Sequence, residues 1–125
     1  VRVLSINMVT FLPSDLAHLT LLPCLEELSV VETPRLSRKP HSLGDTGIHH
    51  ISQLKQLRRL HLSQCKDITF EGWAPLSSLA NLTHLVIHKC KKVGNKTLRQ
   101  FAGLRSLYHL DLHSCYRVGD KGLQH

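Results

Sequence analysis

Aromatic side chains are scarce in this chain, with one Trp, two Tyr and three Phe among 125 residues. A core built on stacked rings is therefore excluded, and burial falls to leucine. No run of about 18 consecutive apolar residues occurs, so no membrane-spanning helix is expected. Val1 to Leu12 is apolar but carries neither a basic leading segment nor an initiator Met, so a signal peptide is not expected. There is no Cys-x-x-Cys pair, no helical His-x-x-x-His and no glycine-rich loop leading into Lys-Ser or Lys-Thr. The usual zinc and phosphate signatures are thus missing. Acidic residues are few, nine against sixteen Lys and Arg, for a formal net charge of +7.

What the chain does have is repetition. Leu57-Arg-Arg-Leu60-His-Leu62-Ser-Gln-Cys65-Lys-Asp-Ile68 returns 25 residues later from Leu82 to Val93, and again from Leu107 to Val118. Cys65, Cys90 and Cys115 fall in one column, and the tails match as well: Trp73 with Leu98 and Leu123, Leu76 with Phe101, Leu79 with Leu104. A fixed period in this range marks units that stack only on their neighbours. Leu25 to Thr33 aligns with Leu57 to Cys65, with Thr33 in the cysteine position and Leu36 in the Ile68 position. A surplus of seven residues then falls in Ser37 to Leu43, read as a polar loop insertion at 37–43. A degenerate first copy runs from Val3 through Leu16 and Leu19 to Leu22.

Within each copy the period changes. Leu60/Leu62, Leu85/Ile87 and Leu110/Leu112 alternate as in a strand. Trp73, Leu76 and Leu79 recur at threes, which predicts a helix or a 3₁₀ turn. Asp45, Asn95 and Asp120 suit helix N-caps, and Pro75 suits a first helical turn. Three cysteines in one inward column act as small hydrophobes, so free thiols and a reducing compartment are expected. Cys24 stands outside that column, in a loop or on the inner face.

The pattern Leu-x-x-Leu-x-Leu-x-x-Cys-x-x-Ile/Val, followed by Gly44-Asp45-Thr46-Gly47-Ile48 or Gly119-Asp120-Lys121-Gly122-Leu123, resembles the cysteine-containing class of leucine-rich repeats. Gly94-Asn95-Lys96-Thr97-Leu98 departs from it by one residue. The resemblance covers Leu25 to Leu123 and implies an α/β solenoid. Parallel strands would line its concave face and short helices its convex face, in about five repeats. Residues 1–125 then form a single domain, read as the ordered piece of a longer chain because neither end supplies a polar cap. The resemblance also implies binding of other macromolecules, often as the substrate-reading part of an F-box ubiquitin ligase adaptor.

If the leucines point inward, the residues between them share the opposite face. The columns are Glu27, Arg59, His84, His109; then Ser29, His61, Val86, Asp111; then Val31, Ser63, His88, His113. Five of the ten histidines crowd onto this surface. Arg59, His61, His84, His88, His109, Asp111 and His113 are the candidate partner-binding residues. A metal site would draw on His84, His109 and Asp111, whereas His109 and His113 stand about 13 Å apart on one strand and cannot share an ion. No metal or other cofactor is expected. Nor is catalysis, because the thiols point in while the imidazoles point out, and a nucleophilic cysteine needs a base beside it.

Charge divides the chain. Residues 1–54 carry a net charge of −1 and residues 55–125 a net +8. Lys66, Lys89, Lys91, Lys92 and Arg117 predict a basic ridge along the loop edge, fit for an acidic protein surface or for RNA phosphates. Stacking on bases would want aromatics there, and only Tyr116 is placed for it. The expectation is a non-enzymatic protein-interaction scaffold within a larger assembly, with no membrane partner and no small-molecule substrate. One alternative is the F-box adaptor role. The other is a basic, RNA-contacting subunit or assembly factor of a ribonucleoprotein, ribosome-like and mitochondrial in one version. The compartment expected is intracellular and reducing: cytoplasm, nucleus or mitochondrial matrix.

Overall fold

The computed structural model describes residues 2–7, 13–32, 43–65, 68–69, 71–90 and 93–112. Five strands form one open parallel sheet in sequence order: β1 (Val3–Asn7), β2 (Glu27–Val31), β3 (Arg59–Ser63), β4 (His84–His88) and β5 (His109–Asp111). Between them run a 3₁₀ helix η1 (Pro13–Leu21), helix α1 (Gly44–Ile51), a 3₁₀ helix η2 (Glu71–Ser78) and helix α2 (Asn95–Phe101). Each strand pairs with the next, and η1, α1, η2 and α2 pack in the same succession. The chain is therefore of the α/β class, and no helix among the described residues is long and apolar enough to cross a membrane.

The register is the one that the leucine columns predict. Leu28 lies opposite Leu60, and Leu60 opposite Leu85; Val30, Leu62 and Ile87 form the next row inward. Successive side chains on a strand point to opposite faces. These rows are accordingly buried, whereas the residues between them on β2, β3 and β4 are half-buried or exposed. The inward rows meet helix residues that repeat in the same way. Ile48, Trp73 and Leu98 stack as one column, then Ile51, Leu76 and Phe101, then Leu54, Leu79 and Leu104, all within the buried core. Trp73 and Phe101 meet edge to face at 6.1 Å. Both helix types satisfy the spacing of three.

Backbone polar groups are satisfied by equally repetitive means. Two successive N–H groups at each strand entry donate to one carbonyl of the preceding strand: Arg58 and Arg59 to Glu26 O, Thr83 and His84 to Arg58 O, Tyr108 and His109 to Thr83 O. At the strand exits, Gln64 and Lys89 sit in the left-handed region at φ 60° and 57°. That turn carries the next side chain back, so the Cys65 thiol donates to Ser63 O at 3.7 Å and the Cys90 thiol to His88 O at 3.4 Å. The cysteine column is thus a set of short donors to strand-end carbonyls. Cys65 and Cys90 are buried free thiols, Cys115 lies outside the described residues, and Cys24 is exposed at a turn rather than on an inner face.

Several expectations need correction. Leu43, assigned to a polar insertion, is fully buried and occupies the position that Ile68 and Val93 hold ahead of their helices. It stands four residues before Gly47, as Ile68 stands before Gly72, so the surplus residues precede Leu43. Leu36, the residue assigned to that position, lies outside the described residues, as does Thr33. Leu43 N–H donates at 2.8 Å to Glu32 Oε1, a carboxylate only 1% exposed that no hydrophobic pattern announces. Asp45 and Asn95 are not N-caps but first-turn residues, behind Leu43 and Gly94. Asp45 reaches into the next layer instead, accepting from Thr69 N at 2.8 Å and from Thr69 Oγ1 at 2.7 Å. Pro75 is the fifth residue of η2, not a first-turn residue. Asp120 lies outside the described residues.

Gly72 is required by that cross-layer contact, because a Cβ there would overlap the Asp45 carboxylate. Gly72→Ala is expected to cost about 1–2 kcal/mol by driving Asp45 off Thr69, and Asp45→Ala should make the same change cheaper. Urea titrations of the double-mutant cycle measure this, and strict additivity would refute it. Leu85→Ala, at a site with no solvent exposure, should cost about 2–5 kcal/mol in the same assay.

Candidate protein-interaction face

The non-leucine face of the sheet is built by the strand register. Glu27, Arg59, His84 and His109 align across β2 to β5 as one row. Ser29, His61, Val86 and Asp111 form the next, and Val31, Ser63 and His88 the third. Residues from all five strands line a depression of about 410 Å³ on this face, including Ser5, Glu27, Arg59, His84 and His109.

Two sub-clusters divide the face. In the first, Arg59 Nη1 approaches Glu27 Oε1 at 3.6 Å, and both side chains remain substantially exposed. The neighbouring His84 is walled on three sides. Thr83 Oγ1 lies 2.9 Å from its Nδ1, Tyr108 meets its ring edge to face at 4.8 Å, and His109 lies tilted at 5.3 Å. Partial desolvation by these neighbours, then the positive charge of Arg59 and the proximity of His109, lower the His84 pKa from its ordinary value.

The second sub-cluster surrounds Val86. His88 Nε2 stands 3.1 Å from Asp111 Oδ2, and the His61 ring meets the His88 ring edge to face at 5.1 Å. His61 and Asp111 both lie opposite Val86, so His88, two residues further along β4, reaches each of them diagonally. His61 Nε2 is closed off from solvent without a hydrogen-bond partner. Burial, then the neighbouring His88, lower its pKa, while Asp111 opposes them.

Arg59, His61, His84, His88, His109 and Asp111 therefore share one face, in the register predicted for them. Asp111 joins His88 rather than His84 and His109, so the three residues weighed for a metal do not converge. No group of three or more His, Cys, Asp or Glu among the described residues could hold a metal ion. His113 lies outside the described residues. So do Lys66, Lys91, Lys92 and Arg117 of the basic ridge; Lys89, its described member, is exposed at the strand exit. Sequence reasoning missed Thr83 and Tyr108, the residues that wall His84. Their positions, immediately before the strand residues His84 and His109, were the available signal.

The thiols are remote from this chemistry. Cys65 and Cys90 are 2% and 1% exposed, on the core side of the strands. Hydrogen bonding with Cys90, then burial, push the Cys65 thiol above its ordinary range, and the same hydrogen bond lowers Cys90. No protein-family model matches the chain, and no curated protein matches it.

The lowered His61 and His84 values have a sign that equilibrium unfolding can check. A depressed imidazole pKa means that the unfolded chain takes up protons first. Stability from these two residues is present above the unfolded value of about 6.5 and is lost as pH falls through the depressed folded values. Urea unfolding midpoints are expected to fall between about pH 7.5 and 5.5, by less in His61→Gln. A His61→Gln variant with the wild-type pH slope would show that His61 contributes nothing to it.

Proposed function

We propose that this chain is a leucine-rich-repeat solenoid of the cysteine-containing class, acting as a non-enzymatic scaffold that docks another protein on its strand face. The supporting observation is the division of labour across the sheet. Inward rows of leucine, isoleucine and valine do the packing. The opposite rows carry Arg59, four histidines and Asp111 around a depression that all five strands line. A face whose side chains are not needed for the core is free to be specified by a partner. Imidazole, guanidinium and phenol groups are amphipathic contacts of the kind that interfaces favour. The buried free thiols fit a reducing compartment.

Cross-linking mass spectrometry on the full-length protein, captured with its partners, tests the reading. Cross-links and hydrogen-exchange protection should map to β2 through β5, and Arg59→Ala with His109→Ala, both exposed, should release the partner while leaving the thermal transition within a few degrees of wild type. Protection confined to the helix side would overturn the proposal. Capture of RNA in place of protein, with a steep salt dependence, would favour the basic ridge as the working surface.

A further inference from the structure

The strand face concentrates four imidazoles in two adjoining pairs, His61 with His88 and His84 with His109. Among its described residues the permanent charges are Arg59 on β3, Glu27 on β2 and Asp111 on β5, while Val3 and Ser5 of β1 contribute none. Arg2, Glu26 and Arg58 lie at the strand entries, where Arg2 and Glu26 pair at 2.8 Å. With the imidazoles neutral, Arg59 stands against Glu27 and Asp111, leaving the face with one negative charge. Protonation of His61, His84, His88 and His109 reverses this to three positive charges. Two of those rings adjoin another ring in each sub-cluster, at 5.1 and 5.3 Å. Bound protons therefore repel one another unless an anion lies between them.

Resting on the proposed docking role, we infer that the face is a pH-gated site for an acidic polypeptide segment, binding it more tightly as the clustered imidazoles take up protons. The depression runs across the strands, so an extended segment laid along it passes His109, His84 and Arg59 in turn. Carboxylates placed over these rings relieve the repulsion between imidazoliums. The coupling is reciprocal: the segment raises the histidines' proton affinity by the factor by which protons raise the segment's affinity. Binding must then take up protons from solution.

The probe is an Asp-rich, histidine-free peptide, whose side chains stay ionised at pH 5.5 because aspartate titrates near 3.9. It is titrated calorimetrically into the full-length protein at about pH 7.5 and 5.5 and constant ionic strength. Affinity should rise at least about tenfold at the lower pH. Measurements near pH 6 in buffers of different ionisation enthalpy should show net proton uptake. His61→Gln/His84→Gln/His88→Gln/His109→Gln should abolish both effects. His109→Gln alone, at an exposed position whose replacement leaves the core intact, should reduce them, and it decides the matter if the quadruple variant fails to fold. Equal affinity at the two pH values, no binding at either, or proton uptake unchanged in the variants would overturn the inference. In those cases partner cross-links on β2 through β5 would leave the docking role standing, whereas cross-links elsewhere would remove it as well.

Discussion

The parallel register is the constraint on which the rest depends. Because side chains alternate along a strand, fixing Leu28, Leu60 and Leu85 in one row commits every intervening residue to the other face. A slip of one residue would bury Arg59 and His61 and expose the two inward rows, Leu28/Leu60/Leu85 and Val30/Leu62/Ile87. The bifurcated hydrogen bonds at each strand entry hold the register at one end. The left-handed turns at Gln64 and Lys89, with the cysteine donors beside them, hold it at the other. Hydrophobic burial and backbone hydrogen bonding thus specify the same alignment, a consistency across levels that favours a unique fold.

The candidate site inherits its order from this alignment. No loop rearrangement is needed to bring six separated residues together, since adjacent parallel strands already place them about 5 Å apart. The strand scaffold also explains why the face pairs its charges laterally. Glu27 meets Arg59 across one strand gap and His88 meets Asp111 across another. The exposed Arg59–Glu27 pair contributes little to stability, about 1 kcal/mol or less. The permanent charges among the described residues of the face, Arg59 against Glu27 and Asp111, nearly cancel.

Cross-layer polar contacts form a second level of organisation that stabilises without touching the face. Asp45 gripping Thr69, and Glu32 accepting from Leu43, connect elements distant in sequence through single carboxylates. Glu32 satisfies a buried backbone donor, Leu43 N–H, where an orphaned group would cost about 1–3 kcal/mol, whereas Asp45 ties Thr69 at an exposed position. Gly72 is small because Asp45 occupies the space a side chain would need, and Gly47 because Leu43 does.

The repeat period by itself determined the strand positions, the inward rows, the burial of Cys65 and Cys90 and the common face of Arg59, His61, His84, His88, His109 and Asp111. Identical spacing implies identical placement, so one copy interprets the next. It did not determine that Leu43 rather than Leu36 fills the Ile68 position, because an insertion breaks the spacing that makes columns readable. The diagonal contacts of His88 with His61 and Asp111, and the enclosure of His84 by Thr83 and Tyr108, were decided only in three dimensions. Which neighbours meet off the row depends on sheet twist and rotamer choice, and linear spacing carries neither.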